Sequence, residues 1–95
     1  MTPIWKINSG EFAGWYSNDA LYDAQGRHIG CLAGAGAYSL SGEYLGEIHE
    51  AQWIGRPQGV HGNHAAPLVK AENVAHAPLA DRPGLGLPDW TDPKF

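Results

Sequence analysis

The sequence predicts an all-β fold: a pseudo-symmetric repeat of three to four β-hairpins, followed by a proline-rich, irregular C-terminal tail. Three observations carry this reading. Paired glycines four residues apart recur every sixteen residues, at Gly10 and Gly14, Gly26 and Gly30, and Gly42 and Gly46. Each pair is flanked by short runs of aliphatic and aromatic strand formers. The 95 residues include 13 Gly and 7 Pro, a composition that favours short strands and tight turns over long helices. A period of this length is a signature of repeat architecture and outranks any single residue.

The first copy runs Trp5-Lys-Ile-Asn-Ser-Gly-Glu-Phe-Ala-Gly-Trp-Tyr16. The second is Leu21-Tyr-Asp-Ala-Gln-Gly-Arg-His-Ile-Gly-Cys-Leu32, and the third Ala37-Tyr-Ser-Leu-Ser-Gly-Glu-Tyr-Leu-Gly-Glu-Ile48. In a worn fourth copy Trp53 falls in register with Trp5 and Gly62 with Gly14, while Gln58 replaces the turn glycine. Each copy reads as a hairpin whose turn ends at the first glycine, where the backbone calls for positive φ. Asn8, Asp23 and Ser39 are expected to bond back to the turn amides. The second glycine lies in mid-strand and signals a bulge, a bend or close approach of another backbone. Strict alternation would then set Ala13, Ile29 and Leu45 on one face with Trp15, Cys31 and Glu47, and Phe12, His28 and Tyr44 on the other with Tyr16, Leu32 and Ile48. Both faces are partly apolar, and Gly34-Ala-Gly36 reads as a connector between hairpins. A single hairpin cannot bury itself, whereas several side by side can.

The domain reading is residues 1–62 for the repeats and 63–95 for the tail, which carries Pro67, Pro78, Pro83, Pro88 and Pro93. Ala71-Glu-Asn-Val-Ala-His76 has the composition for a turn or two of helix, cut off by proline. The remainder reads as extended. Trp90 and Leu87 are apolar anchors expected to dock on this domain, a neighbouring subunit or another partner.

The pattern of an aliphatic residue or Tyr, a short turn, Gly, two residues, an aliphatic and Gly resembles the bacterial four-fold β-flower domains. Leu21-Tyr-Asp-Ala-Gln-Gly-Arg-His-Ile-Gly30 and Tyr38-Ser-Leu-Ser-Gly-Glu-Tyr-Leu-Gly46 carry it most clearly. The resemblance covers residues 4–62 and implies hairpins arranged like petals; it implies no particular activity. Gly-Glu-Tyr-Leu-Gly46 bears a weaker similarity to membrane-occupancy repeats.

Composition narrows the function. A formal net charge of −4, with 6 basic residues scattered along the chain, argues against a nucleic-acid groove. One cysteine forms no internal disulfide, and the first residues lack a signal-peptide pattern, so the expected setting is the cytoplasm. No apolar run is long enough to span a bilayer. His61 and His64 have His-x-x-His spacing but no third ligand at a diagnostic distance, so neither a metal nor another cofactor is expected. Glu47 and His49 share a strand face without a nucleophile partner, and Cys31 reads as a small buried filler. Trp5, Trp15, Tyr16 and Trp53 belong to the first and last copies, which a closed ring makes neighbours. Such a cluster is core, a pocket lining or a subunit contact. The resulting expectation is a non-catalytic binding or interaction module that self-associates through aromatic faces, with Trp5, Trp15, Tyr16, His49, Trp53, His61, His64 and Trp90 as contact residues and the tail as the element that meets a protein partner. The alternative is a small-ligand binding or sequestering protein with an aromatic and His-lined pocket. A small hydrolase-like enzyme or a metal-binding protein stands third.

Overall fold

The computed structural model describes residues 1–59, 72–74, 77–93 and 95. Among them are eight strands: β1 (Thr2–Lys6), β2 (Phe12–Ser17), β3 (Ala20–Asp23), β4 (His28–Ala33), β5 (Gly36–Ser39), β6 (Tyr44–His49), β7 (Trp53–Pro57) and β8 (Trp90–Thr91). No helix among the described residues is long and apolar enough to cross a membrane. Strands β1 to β7 follow one another as an antiparallel meander. In such a meander every odd-numbered strand runs the same way, so a seven-strand ring must close with a parallel pair. It does: β7 lies parallel to β1, with Trp5 beside Trp53 and Lys6 beside Ile54. The two tryptophans that share a repeat position are thus the residues that shut the barrel.

The sixteen-residue period is one strand up, one strand down and two turns. The segment Gly34-Ala35 is itself a two-residue hairpin turn, with Ala33 paired to Gly36, rather than a spacer between separate petals. Asn18-Asp19 plays the same part after β2, while three residues, Glu50, Ala51 and Gln52, join β6 to β7 with His49 paired to Trp53; φ is 54° at Asn18, 50° at Glu50 and 62° at Ala51. These are the conformations that two-strand turns prefer, taken here without glycine at three positions.

The second glycine of each copy marks a β-bulge. Trp5 pairs with Phe12 and Ile4 with Gly14, leaving Ala13 as the extra residue. Ile29 and Leu45 are extra in the same way. A bulge inserts one residue and inverts the alternation beyond it. The expected face assignment is therefore corrected: Ala13 shares a cluster with Tyr16, Ile29 with Leu32 and Leu45 with Ile48, while Phe12 lies with Trp15. Close approach of the next strand accounts for the glycine itself. A Cβ on Gly14 would collide with the Tyr22 carbonyl oxygen, one on Gly30 with that of Tyr38, and one on Gly46 would lie 2.7 Å from that of Gly55.

The bulged residues and their partners fill the barrel. Ile4, Ala13, Leu21, Ala37 and Ile54 form its centre, with Tyr16, Ile29, Leu32, Leu45 and Ile48 around them, so all seven strands contribute. Outside lies a second cluster, Trp5, Ile7, Phe12, Trp15 and Trp53, covered by Leu87 and Trp90.

That cover belongs to a strap that runs around the turn end of the barrel. Asn73 Oδ1 accepts from the His28 N–H at 2.8 Å, and the Val74 N–H donates to Gly26 O at 2.8 Å. Eight residues later the same two contacts recur one hairpin away: Asp81 Oδ1 accepts from the Phe12 N–H at 2.8 Å and the Arg82 N–H donates to Gly10 O at 2.8 Å. After a further eight, Asp89 O accepts from the Gln58 N–H at 2.7 Å, and Gln58 holds the register of the turn glycines. The strap thus advances about one petal every eight residues. Glu72–Val74 are not helical, in contrast to the composition of that stretch; Asn73 and Val74 spend their polar groups on the second turn instead.

Urea unfolding of two variants separates close packing from backbone handedness. Gly30→Ala sets a methyl against the Tyr38 backbone and should cost roughly 3 kcal/mol. Gly34→Ala meets no atom within 4 Å and bears only its φ of +62°, so about 1 kcal/mol is expected. Equal costs would contradict the close-approach account.

Candidate functional site at the barrel mouth

The expected site residues divide between three places. Trp5, Trp15 and Trp53 meet on the outer face around β1, β2 and β7, where Phe12 stands edge-on to Trp15 at 4.8 Å and to Trp5 at 5.5 Å. Trp90 packs on this cluster, and its ring meets that of His49 at 5.1 Å. The Arg82 guanidinium lies 4.6 Å from the Trp5 ring centroid and 5.1 Å from that of Trp53, while its Nη1 donates to Gln52 Oε1 at 2.8 Å. The Trp5 indole N–H donates to Ala80 O at 2.8 Å. The strap therefore occupies the ground above these rings. Tyr16 is elsewhere: it packs against the barrel core and its hydroxyl donates to Ala51 O at 3.1 Å. His61 and His64 lie outside the described residues.

Asn8 fastens the strap. Asp23 and Ser39 accept from amides of their own turns, Asp23 from Gln25 and Arg27 and Ser39 from Ser41 and Glu43. The corresponding residue of the first copy is Ile7, fully buried, and the structure corrects the expectation for its neighbour Asn8. Asn8 Oδ1 accepts from the Leu87 N–H at 2.7 Å and its Nδ2 donates to Trp90 O at 2.6 Å and Leu87 O at 3.2 Å. The missing turn acceptor comes from the strap: Asp92 accepts from the N–H groups of Asn8 and Ser9. A carboxylate that the second copy carries within its own turn is thus supplied to the first copy from the far end of the chain.

Burial shifts two chemistry-bearing groups elsewhere. Burial, with the Asp19 charge second, raises the pKa of the Cys31 thiol, so it stays protonated and a poor nucleophile near neutral pH. Burial likewise raises that of Tyr44, with the nearby Glu47 charge adding to it. Among the described residues no three His, Cys, Asp or Glu side chains converge as metal ligands.

A concave feature that sequence reasoning missed is the mouth of the barrel at the glycine-turn end. It encloses about 490 Å³, with Ala13, Ile29, Leu45 and Phe12 as apolar lining and Phe95 at one side. Lys6, Glu11, Asp23, Arg27 and Ser39 form its rim. Lys6 Nζ stands 3.6 Å from Glu11 Oε1, and Arg27 Nε donates to Asp23 Oδ2 at 2.9 Å, so each rim cation faces a carboxylate. The bulges create this mouth, because they turn Ala13, Ile29 and Leu45 inward next to the turns. The signal was the recurrence of those three apolar residues just before the second glycine of each copy.

A family model described as the 4-fold beta flower protein matches residues 6–84. The chain belongs to the β-flower family. The match reaches beyond the hairpins and takes in the strap contacts of Asn73 and Asp81, while Leu87, Asp89, Trp90 and Asp92 lie past its end. No curated protein and no solved structure matches this β-flower.

Replacing Asn8 by Ala should loosen the strap without opening the barrel. Hydrogen exchange is expected to accelerate at the Leu87 amide while the Ile54 and Leu21 amides keep their protection, with a stability loss of roughly 2 kcal/mol. Unchanged exchange at Leu87 would show that Asn8 does not hold the strap.

Proposed function

We propose that this β-flower is a non-catalytic binding module that holds a small, mainly apolar ligand in the mouth of its barrel. The observation that carries the reading is the mouth itself, about 490 Å³ with an apolar floor of Ala13, Ile29 and Leu45 beneath a rim of charged and polar groups. Small-molecule sites are concave, mostly apolar, typically about 300–1,000 Å³, and recur at the mouths of β-barrels. Support for the non-catalytic part comes from two groups: the His49 ring stands against Trp90, and burial keeps the Cys31 thiol protonated. Self-association through the aromatic faces has less support, because Arg82, Leu87 and Trp90 already cover the outer tryptophan cluster. A protein partner using that face would first have to lift the strap.

Native mass spectrometry of the protein purified from its own host tests this reading. A stoichiometric small molecule is expected on the wild type, and Leu45→Trp, which fills the mouth, should reduce its retention at least ~10-fold while the unfolding midpoint stays close to that of the wild type. A clean ligand-free mass in repeated preparations, or full retention by Leu45→Trp, would overturn it.

A further inference from the structure

We propose that the mouth is a receptor for an uncharged benzene ring, and that Phe95 is its intrachain occupant, displaced when a ligand binds. This deepens the binding-module reading and rests on it. The barrel-core cluster and the residues packed around it come from β1 to β7 with one exception, Phe95. Phe95 is half-buried against that core, and it also lines the open mouth. A short segment brings it there: Asp92 is fixed by the amides of Asn8 and Ser9, and Pro93 is buried. The floor has room for a ring because the first copy carries Ala13 where the second and third carry Ile29 and Leu45. Phe12 adds an aromatic side chain to the lining, and aromatic rings attract one another beyond their buried area.

The rim sets the charge of the ligand. Lys6 faces Glu11 and Arg27 faces Asp23, so among the described residues the rim charges are paired. A phosphate or another multiply charged group would meet a carboxylate beside each cation, whereas a neutral ring meets apolar lining. The ring is the shared chemistry of two sources, a free aromatic molecule or the side chain of a peptide. Phe95 packs on the core cluster that includes Ala13, and Ala13 is also part of the floor, so a ring that takes the place of Phe95 on that cluster competes with it. A resident competitor lowers apparent affinity by the fraction of molecules in which the site is vacated.

Titration of the full chain with benzyl alcohol, N-acetylphenylalaninamide and cyclohexylmethanol tests the proposal, read from the methyl resonances of Ile29 and Leu45. Benzyl alcohol should shift both methyls and bind Phe95→Ala at least ~10-fold more tightly than the wild type, with cyclohexylmethanol weaker on both. Tighter binding of the amide than of benzyl alcohol assigns the ring to a peptide, and the reverse assigns it to a free molecule; either supports the proposal. Phe95→Leu keeps an apolar side chain and gives the same comparison should Phe95→Ala fail to fold. Equal affinities for wild type and variant, or methyls that no ring probe moves, overturn the inference. If the host-derived ligand moves those methyls equally in both proteins, the mouth remains a binding site and the ring assignment alone falls.

Discussion

The barrel exists because β1 and β7 find each other across almost fifty residues of meander. An antiparallel meander left open would present two edges, each a row of unpaired backbone groups. With seven strands the two edges run in the same direction, and their union is the parallel pairing of Trp5 with Trp53 and Lys6 with Ile54. The other features of the fold follow from that closure. It makes an inside that Ile4, Leu21, Ala37 and Ile54 can fill, and an outside where tryptophans from the ends of the repeat stand together. It also leaves a mouth at each end, and at the turn end the bulges supply the apolar floor.

Closure covers only part of β7. Where β1 turns away after the Ile7 N–H donates to Ile54 O, β8 takes over, pairing Thr91 with Arg56 and Trp90 with Pro57. Asn8 stands at this handover and bonds to the carbonyls of Leu87 and Trp90. The strap is thus more than a covering for apolar rings. It completes a sheet edge, caps the first turn through Asp92, and brings Phe95 to the mouth.

Much of the scaffold was legible in the chain. The sixteen-residue spacing gave the hairpins, the mid-strand glycines signalled close approach, and the repeat register of Trp5 and Trp53 made them neighbours in a closed ring. Face assignment failed for a physical reason: a bulge is a property of two paired strands, and alternation along one strand cannot show which residue is extra. The turn at Glu50 and Ala51 carried no glycine to announce its positive φ. Asn8 looked like an ordinary turn residue, since its partners lie 79 and 82 residues away. The strap reads as extended from its prolines; it holds, among its described residues, no helix and one short strand, β8. Its order comes from Asn73, Asp81 and Asp89 at eight-residue intervals, a rhythm visible in the sequence but meaningful only beside the turns that it meets. The mouth was hidden because its floor is assembled from three copies by the bulges.

The measurement that tests the closed barrel most directly is a nuclear Overhauser spectrum across the β1–β7 seam. The parallel pairing places the backbone protons of Trp5 and Lys6 against those of Trp53 and Ile54, and the Ile7 amide, bonded to Ile54 O at 3.0 Å, should exchange slowly with solvent. Cross-peaks between these strands together with a protected Ile7 amide are the expected result. Absence of the cross-peaks, with the amides of Trp5 and Ile7 exchanging as freely as those of an open sheet edge, would contradict the account.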